Sequence, residues 1–175
     1  MVASALQDTH DPLLSVDLAV EDEGWLQGRD EASMAAWIED IAAAVLGLVP
    51  ETVLPGSEVA VVLTDDASIR EINREHRGFD KPTNVLSFPM SPPDAKVFGP
   101  MVGDIVVARE TVEREAAEAG IPFDHHFTHM IVHGILHLLG YDHIDDAEAE
   151  EMEGLETAIL AHLAIPDPYA DSEPA

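Results

Sequence analysis

His133-Gly134-Ile135-Leu136-His137-Leu138-Leu139-Gly140-Tyr141-Asp142-His143 is the stretch on which the reading of this chain turns. Its histidines stand at i, i+4 and i+10. Positions four apart on a helix lie one above the other on the same face, so the imidazoles of His133 and His137 can converge on one ion. Gly140 can take the left-handed conformation that ends a helix, and the reversed chain then brings His143 back beneath the pair. Three neutral nitrogens with one open position make a catalytic type of zinc site. The plain alternative is a histidine-rich core helix without metal, which leaves the ligand spacing around a helix-ending glycine unexplained.

The spacing also matches the long zinc-binding motif of one metalloprotease class, except that Gly134 stands where those enzymes carry their glutamate base. Without that carboxylate the usual route to peptide hydrolysis is missing, although the ion alone can lower the pKa of its water to about 7. The pattern therefore reads as a hydrolytic metal site and argues against a peptidase. His125 and His129 continue the stripe backwards. At about 1.5 Å of rise per residue, His129 lies roughly 6 Å below His133, too far to share its coordination sphere easily. His129 is read as a support behind the ligands, a cleft wall or plain packing, and His125 as surface.

Outward from this stretch the chain alternates strands and helices. Residues 13–20 alternate in hydrophobicity, and 58–64 form a short apolar run. Met34, Trp37, Ile38, Ile41, Val45 and Leu48 recur at helical spacing before Pro50. Asp65 or Asp66 caps a helix that Gly78 stops, residues 79–83 are a loop, and residues 84–88 form a strand closed by Pro89. The proline-rich segment 90–100 reads as a loop over the cleft, 102–108 as a strand, and 109–119 as a polar helix ended by Gly120. The histidine helix spans 124–139, and Asp145 or Asp146 caps a last helix buried through Met152, Leu155, Ile159 and Leu163. Four strands and about five helices in mixed order predict an α+β (mixed α/β) single domain over residues 13–165. A disordered tail is expected at 1–12 and an acidic tail at 166–175.

Composition narrows the chemistry. With 175 residues, 46% hydrophobic and 25% charged, the chain has the make-up of one globular domain. It has no cysteine, so thiolate zinc sites and disulfide partners are excluded, and histidine and carboxylate must supply any metal ligand. No secretory signal or apolar run of membrane-span length is evident, and the expected setting is the cytoplasm, without a membrane partner. A net charge of −27 taken globally argues against nucleic acid. The distribution changes that. Residues 1–40 hold ten acids and one base, and 142–175 hold eleven acids and none, whereas Arg70, Arg74, Arg77 and Lys81, four of the eight bases, fall within twelve positions. A solvated helix face explains Arg70 and does less well for the whole group.

Two segments together resemble one family. Residues 133–143, with Asn-Arg-Glu-His-Arg-Gly-Phe-Asp-Lys-Pro-Thr-Asn-Val-Leu-Ser-Phe-Pro at 73–89 and Gly-Asp-Ile at 103–105, are similar to the YbeY endoribonucleases, the bacterial ribosomal RNA maturation factors. The resemblance covers roughly residues 57–145. It implies a small, mostly parallel four-stranded sheet with one antiparallel strand, and one zinc ion per chain held by His133, His137 and His143. It also implies single-strand cleavage in 3′-end maturation of small-subunit ribosomal RNA and in ribosome quality control. The implied partners are ribosomal RNA and the ribosome or its small-subunit proteins. The functional arginine of the family matches Arg77, whose alternative reading is a helix-end residue paired with Asp80. Arg74 and Lys81 are further RNA-contact candidates. Asp104 and Asp142 are proton-transfer candidates, with a strand-end aspartate and a support for a ligand histidine as equal readings. A metal-stabilised ribosome-assembly adaptor is the competing function.

Overall fold

The alternating run near the start of the chain forms β1 (Ser15–Val20) in the computed structural model of the protein, which describes residues 12–170. The tail expected at 1–12 and the end of the acidic tail, 171–175, therefore lie almost wholly outside the described residues. A short 3₁₀ turn (Glu23–Trp25) follows, and its Trp25 is buried with Nε1 donating to the Thr64 carbonyl at 2.8 Å. Helix α1 (Glu31–Leu46) starts at Asp30, whose carboxylate accepts from the Ser33 amide at 2.7 Å, one of the orphan donors of a first turn. Then come β2 (Thr52–Val53), β3 (Glu58–Thr64) and α2 (Asp66–Arg77), the last capped by Asp65 on Ser68 at 2.8 Å and ended at Gly78. Strands β4 (Val85–Pro89), β5 (Val97–Phe98) and β6 (Met101–Ala108) lead to α3 (Arg109–Ala119), α4 (Phe123–Leu138) and α5 (Asp146–His162). Asp145 and Glu148 close α5 with a reciprocal capping box.

The main sheet has the order β1-β3-β6-β4, with β1, β3 and β6 parallel and β4 antiparallel to β6. This is the mostly parallel four-stranded sheet that the family resemblance implied. Its two faces are buried differently. Val59, Val61, Leu63, Ile105 and Val107 point to the face covered by α1 and α4, while Leu86, Val106 and Ala108 meet Ile69 of α2 on the other. The near-continuous apolar run of β3 is what burial on both faces demands.

The segment 90–100 differs from the loop expected of it. Val97 and Phe98 form β5, which pairs in parallel with Thr52 and Val53 in a second, two-stranded sheet, and Phe98 is fully buried. A pair of two-residue strands carries no periodic signal, so neither was legible in the sequence.

Helix α4 runs through the middle of the larger core: Phe127, Ile131, Val132, Ile135, Leu136 and Leu138 are completely inaccessible. Gly134 lets it do so. A Cβ at that position would stand 3.2 Å from two Ile105 side-chain atoms and 3.3 Å from Ser87 Oγ, a tight contact that glycine avoids where the helix lies against β4 and β6. The Ser87 hydroxyl donates to the Gly134 carbonyl across this contact at 3.3 Å.

The end of α5 yields a stability prediction. Ala164 follows the helix with φ of 61°, in the left-handed region, and the Ile165 amide reaches back to Leu160 O at 2.8 Å. A Cβ in that conformation costs about 1–2 kcal/mol, partly offset by the lower unfolded-state entropy of alanine. Ala164→Gly should stabilise the protein by about 0.5–1 kcal/mol in chemical denaturation, with an unchanged m-value.

Candidate metal centre and active-site cleft

The buried helix α4 sets His129, His133 and His137 on one side, and the chain reversal after it supplies the third ring. Tyr141 N–H donates to Leu136 O at 3.0 Å and Gly140 N–H to His137 O at 3.0 Å, the two bonds of a Schellman turn. Gly140 has φ of 97°, and a Cβ there would overlap the Pro93 carbonyl. The turn returns His143 so that its ring centre lies 5.3 Å from that of His137 and 5.7 Å from that of His133.

His133, His137 and His143 each offer one ring nitrogen within 4.8 Å of the others, and Nε2 of His133 and of His137 face each other at 3.0 Å. Tetrahedral zinc with bonds of about 2.0–2.1 Å sets its nitrogens roughly 3.3 Å apart, a spacing these separations bracket. The donor set is also right: neutral imidazoles suit a divalent transition ion. His137 is held well below the usual histidine range, to about 4, first by burial and next by the charge of His133, against the pull of Asp142 and Glu156. Its lone pair is therefore free at neutral pH.

Behind the histidine cluster sits a group that the sequence did not reveal. Glu156 of α5 is buried, and its carboxylate accepts from Nδ1 of His133 and from Nε2 of His129, both at 2.7 Å, and from the Tyr169 hydroxyl. With its proton on Nδ1, His133 presents a bare Nε2 to the cluster, and the paired carboxylate fixes the orientation of the ring. Burial alone would raise the Glu156 pKa, but the imidazole bonds outweigh it and hold the group down at about 2. His129 is thus a partner of Glu156, set T-shaped against His133 at 6.5 Å between ring centres. The legible signal was an acid within the buried stripe of α5, between Met152 and Ile159. We expect Glu156→Gln to weaken metal binding by about ten- to a hundredfold in a chelator competition.

Both shifts have a pH consequence for the metal-free protein. An unfolded histidine takes a proton near 6.5, whereas folded His137 resists until about 4, so stability should fall as pH drops from 6.5 to 4. Glu156, ionised in the fold down to about 2, adds a further loss below its unfolded value of about 4.3. Thermal melts of chelator-treated protein along this pH series should show Tm declining throughout. In His137→Ala the upper part of the decline should flatten.

The cluster opens on a cavity of about 400 Å³ walled by Arg77, Thr83, Asn84, Val85, Leu86, Ser87 and Asp142 together with the three histidines. Arg77 comes from the last turn of α2. Asp80, its alternative partner, is taken by Arg70 at 2.8 Å, and among the described residues no carboxylate pairs with Arg77. Asp142 lies at the rim, accepting from the His143 amide at 2.8 Å, with its Oδ1 3.8 Å from His143 Nδ1. Arg74 is paired with Glu71 at 2.7 Å and is not a cavity wall. Lys81 Nζ stands 5.7 Å from the Phe79 ring centre. Asp104 is not brought to the cleft: it is exposed on β6, on the face opposite Ile105, and Ile105 is the residue that meets α4.

Comparison with known proteins agrees with this geometry. The family model described as endoribonuclease YbeY matches residues 20–164. A protein of Rhizobium etli named endoribonuclease YbeY is 54% identical over 162 residues, covering 89% of this chain and 93% of its own length. Its namesake from Agrobacterium fabrum is 52% identical over 164 residues, covering 92% and 98%. Among solved structures, the solution structure of TM1509 from Thermotoga maritima superposes with a TM-score of 0.53 at 26% identity, covering 93% of this chain and 98% of that one. A match over most of the chain, joined to the histidine cluster and Arg77 on one cavity, means that the chain belongs to the endoribonuclease YbeY family.

Proposed function

We propose that this protein is a zinc-dependent, single-strand-specific endoribonuclease that acts in 3′-end maturation of small-subunit ribosomal RNA and in ribosome quality control. It works in the cytoplasm with ribosomal RNA and small-subunit proteins as partners. The observation that carries the reading is the cluster of three imidazoles facing a cavity that Arg77 also walls. His133, His137 and His143 would hold one zinc ion, which when bound would supply Lewis-acid polarisation of a phosphoryl oxygen. Glu156 fixes the tautomer and orientation of His133. Arg77, with no carboxylate partner among the described residues, offers a planar fork to two phosphate oxygens and stabilises the charge that grows on them.

Gly134 disfavours a peptidase on steric grounds as well as chemical ones, since the glutamate base of that class would have to grow into Ile105 and Ser87. An adaptor with a structural metal calls for a fourth protein ligand, and among the described residues the cluster has three. The test is to incubate protein of measured zinc content with a single-stranded oligonucleotide carrying the 3′ region of small-subunit ribosomal RNA, the same sequence as a duplex, and an unstructured peptide. Cleavage of the single strand alone, abolished by a chelator, is expected. Metal-independent cleavage, or cleavage of the peptide, would overturn the reading.

A further inference from the structure

The five phenylalanines of the chain divide sharply. Phe98 and Phe127 are fully buried, Phe88 and Phe123 partly so, and Phe79 is 49% exposed on the loop after α2. Among the described residues it belongs to neither hydrophobic core cluster. Two cations flank it instead: Arg77 Cζ lies 5.2 Å and Lys81 Nζ 5.7 Å from the ring centre. Both lie within cation–π range of a ring that is itself half open to solvent. This is also where the chain concentrates its positive charge, since residues 69–81 hold four bases and three acids in a protein of net charge −27. Arg77 joins the two features, walling the cavity of the histidine cluster and lying over the Phe79 ring.

An exposed aromatic beside phosphate-binding cations, next to a nuclease cleft, is the arrangement that holds an unpaired base. We propose that Phe79 is a stacking platform for a nucleobase of single-stranded RNA, one that flanks the phosphate held by Arg77, with Lys81 on the neighbouring backbone. The proposal rests on the endoribonuclease reading and adds a physical source for strand selectivity. A base within a duplex is already stacked on both faces and cannot reach the ring. Since every base has a π-face, the platform tolerates any sequence.

The test is stopped-flow fluorescence anisotropy, read before cleavage, with full-length zinc-loaded protein and a short single-stranded RNA. Phe79→Ala should weaken binding by about five- to a hundredfold while leaving the slope of log K against log salt unchanged. Phe79→Trp should bind at least as tightly as the wild type. Lys81→Ala should do the reverse of Phe79→Ala, lowering the magnitude of the salt slope by about 0.7 with a small loss of affinity. On an RNA whose bases are replaced by abasic sites, wild type and Phe79→Ala should bind alike. Binding by Phe79→Ala within twofold of wild type, or a deficit that persists on abasic RNA, would overturn the platform. Wild-type protein that neither binds nor cuts the base-bearing RNA would overturn the endoribonuclease reading beneath it, a different outcome from RNA cleavage that ignores Phe79.

Discussion

Alanine at His133, His137 or His143 will each take zinc from one ion per chain towards none, and RNA cleavage will fall by about a thousandfold or more. Two imidazoles cannot complete a stable site, so the ligands act as a unit and the three variants should look alike in zinc content. The loss of a Lewis acid worth several kcal/mol in the transition state sets the size of the kinetic effect. Stability should move with it, because an ion that binds only the folded chain contributes about 4 kcal/mol at a thousandfold excess over its Kd. At neutral pH His137→Ala and His143→Ala should therefore melt at the temperature of chelator-treated wild type, and His133→Ala below it because it also removes a partner of the buried Glu156 carboxylate, with no further drop in any of them on adding chelator. Metal analysis and thermal melts on the same preparations check this, and full zinc occupancy in any one variant would remove that histidine from the ligand set.

Arg77→Ala is expected to separate catalysis from structure. The side chain ends an exposed helix turn and pairs with no carboxylate among the described residues, so zinc content and Tm should hardly change. Cleavage should fall by about a hundred- to a thousandfold, the cost of removing one preorganised donor from a developing oxyanion. Arg77→Lys should recover part of the loss, as a point charge without the bidentate fork. Single-turnover rates on saturating RNA provide the measurement. Wild-type rates in Arg77→Ala would transfer the role elsewhere on the basic patch.

What was legible in the sequence follows the range of the forces involved. The ligand spacing of His133 and His137 is local helical geometry, and the return of His143 is local turn chemistry at Gly140, so the cluster could be anticipated. The buried runs of β3 and β6 announced themselves as strands for a similar reason. Strand order did not, because parallel pairing joins residues far apart and leaves no mark between neighbours. Glu156 was hidden for the same cause: it meets His133 across 23 positions and sits on a helix crowded with solvated acids. That Asp80 pairs with Arg70 and leaves Arg77 to the cleft depends on how the loop after Gly78 folds back, which composition cannot express. Asp104, sequence-adjacent to a matching glycine, faces away because alternation along β6 assigns that side of the sheet to Ile105.

The central claim is a three-histidine ion with a position left open to the substrate, and X-ray absorption at the zinc edge tests it most directly. The zinc-loaded protein should show three imidazole nitrogens at about 2.0–2.1 Å and one further light donor, and adding inorganic phosphate should change that donor alone. A zinc ion already enclosed by four protein donors, with a spectrum indifferent to phosphate, would contradict the account and make the metal structural.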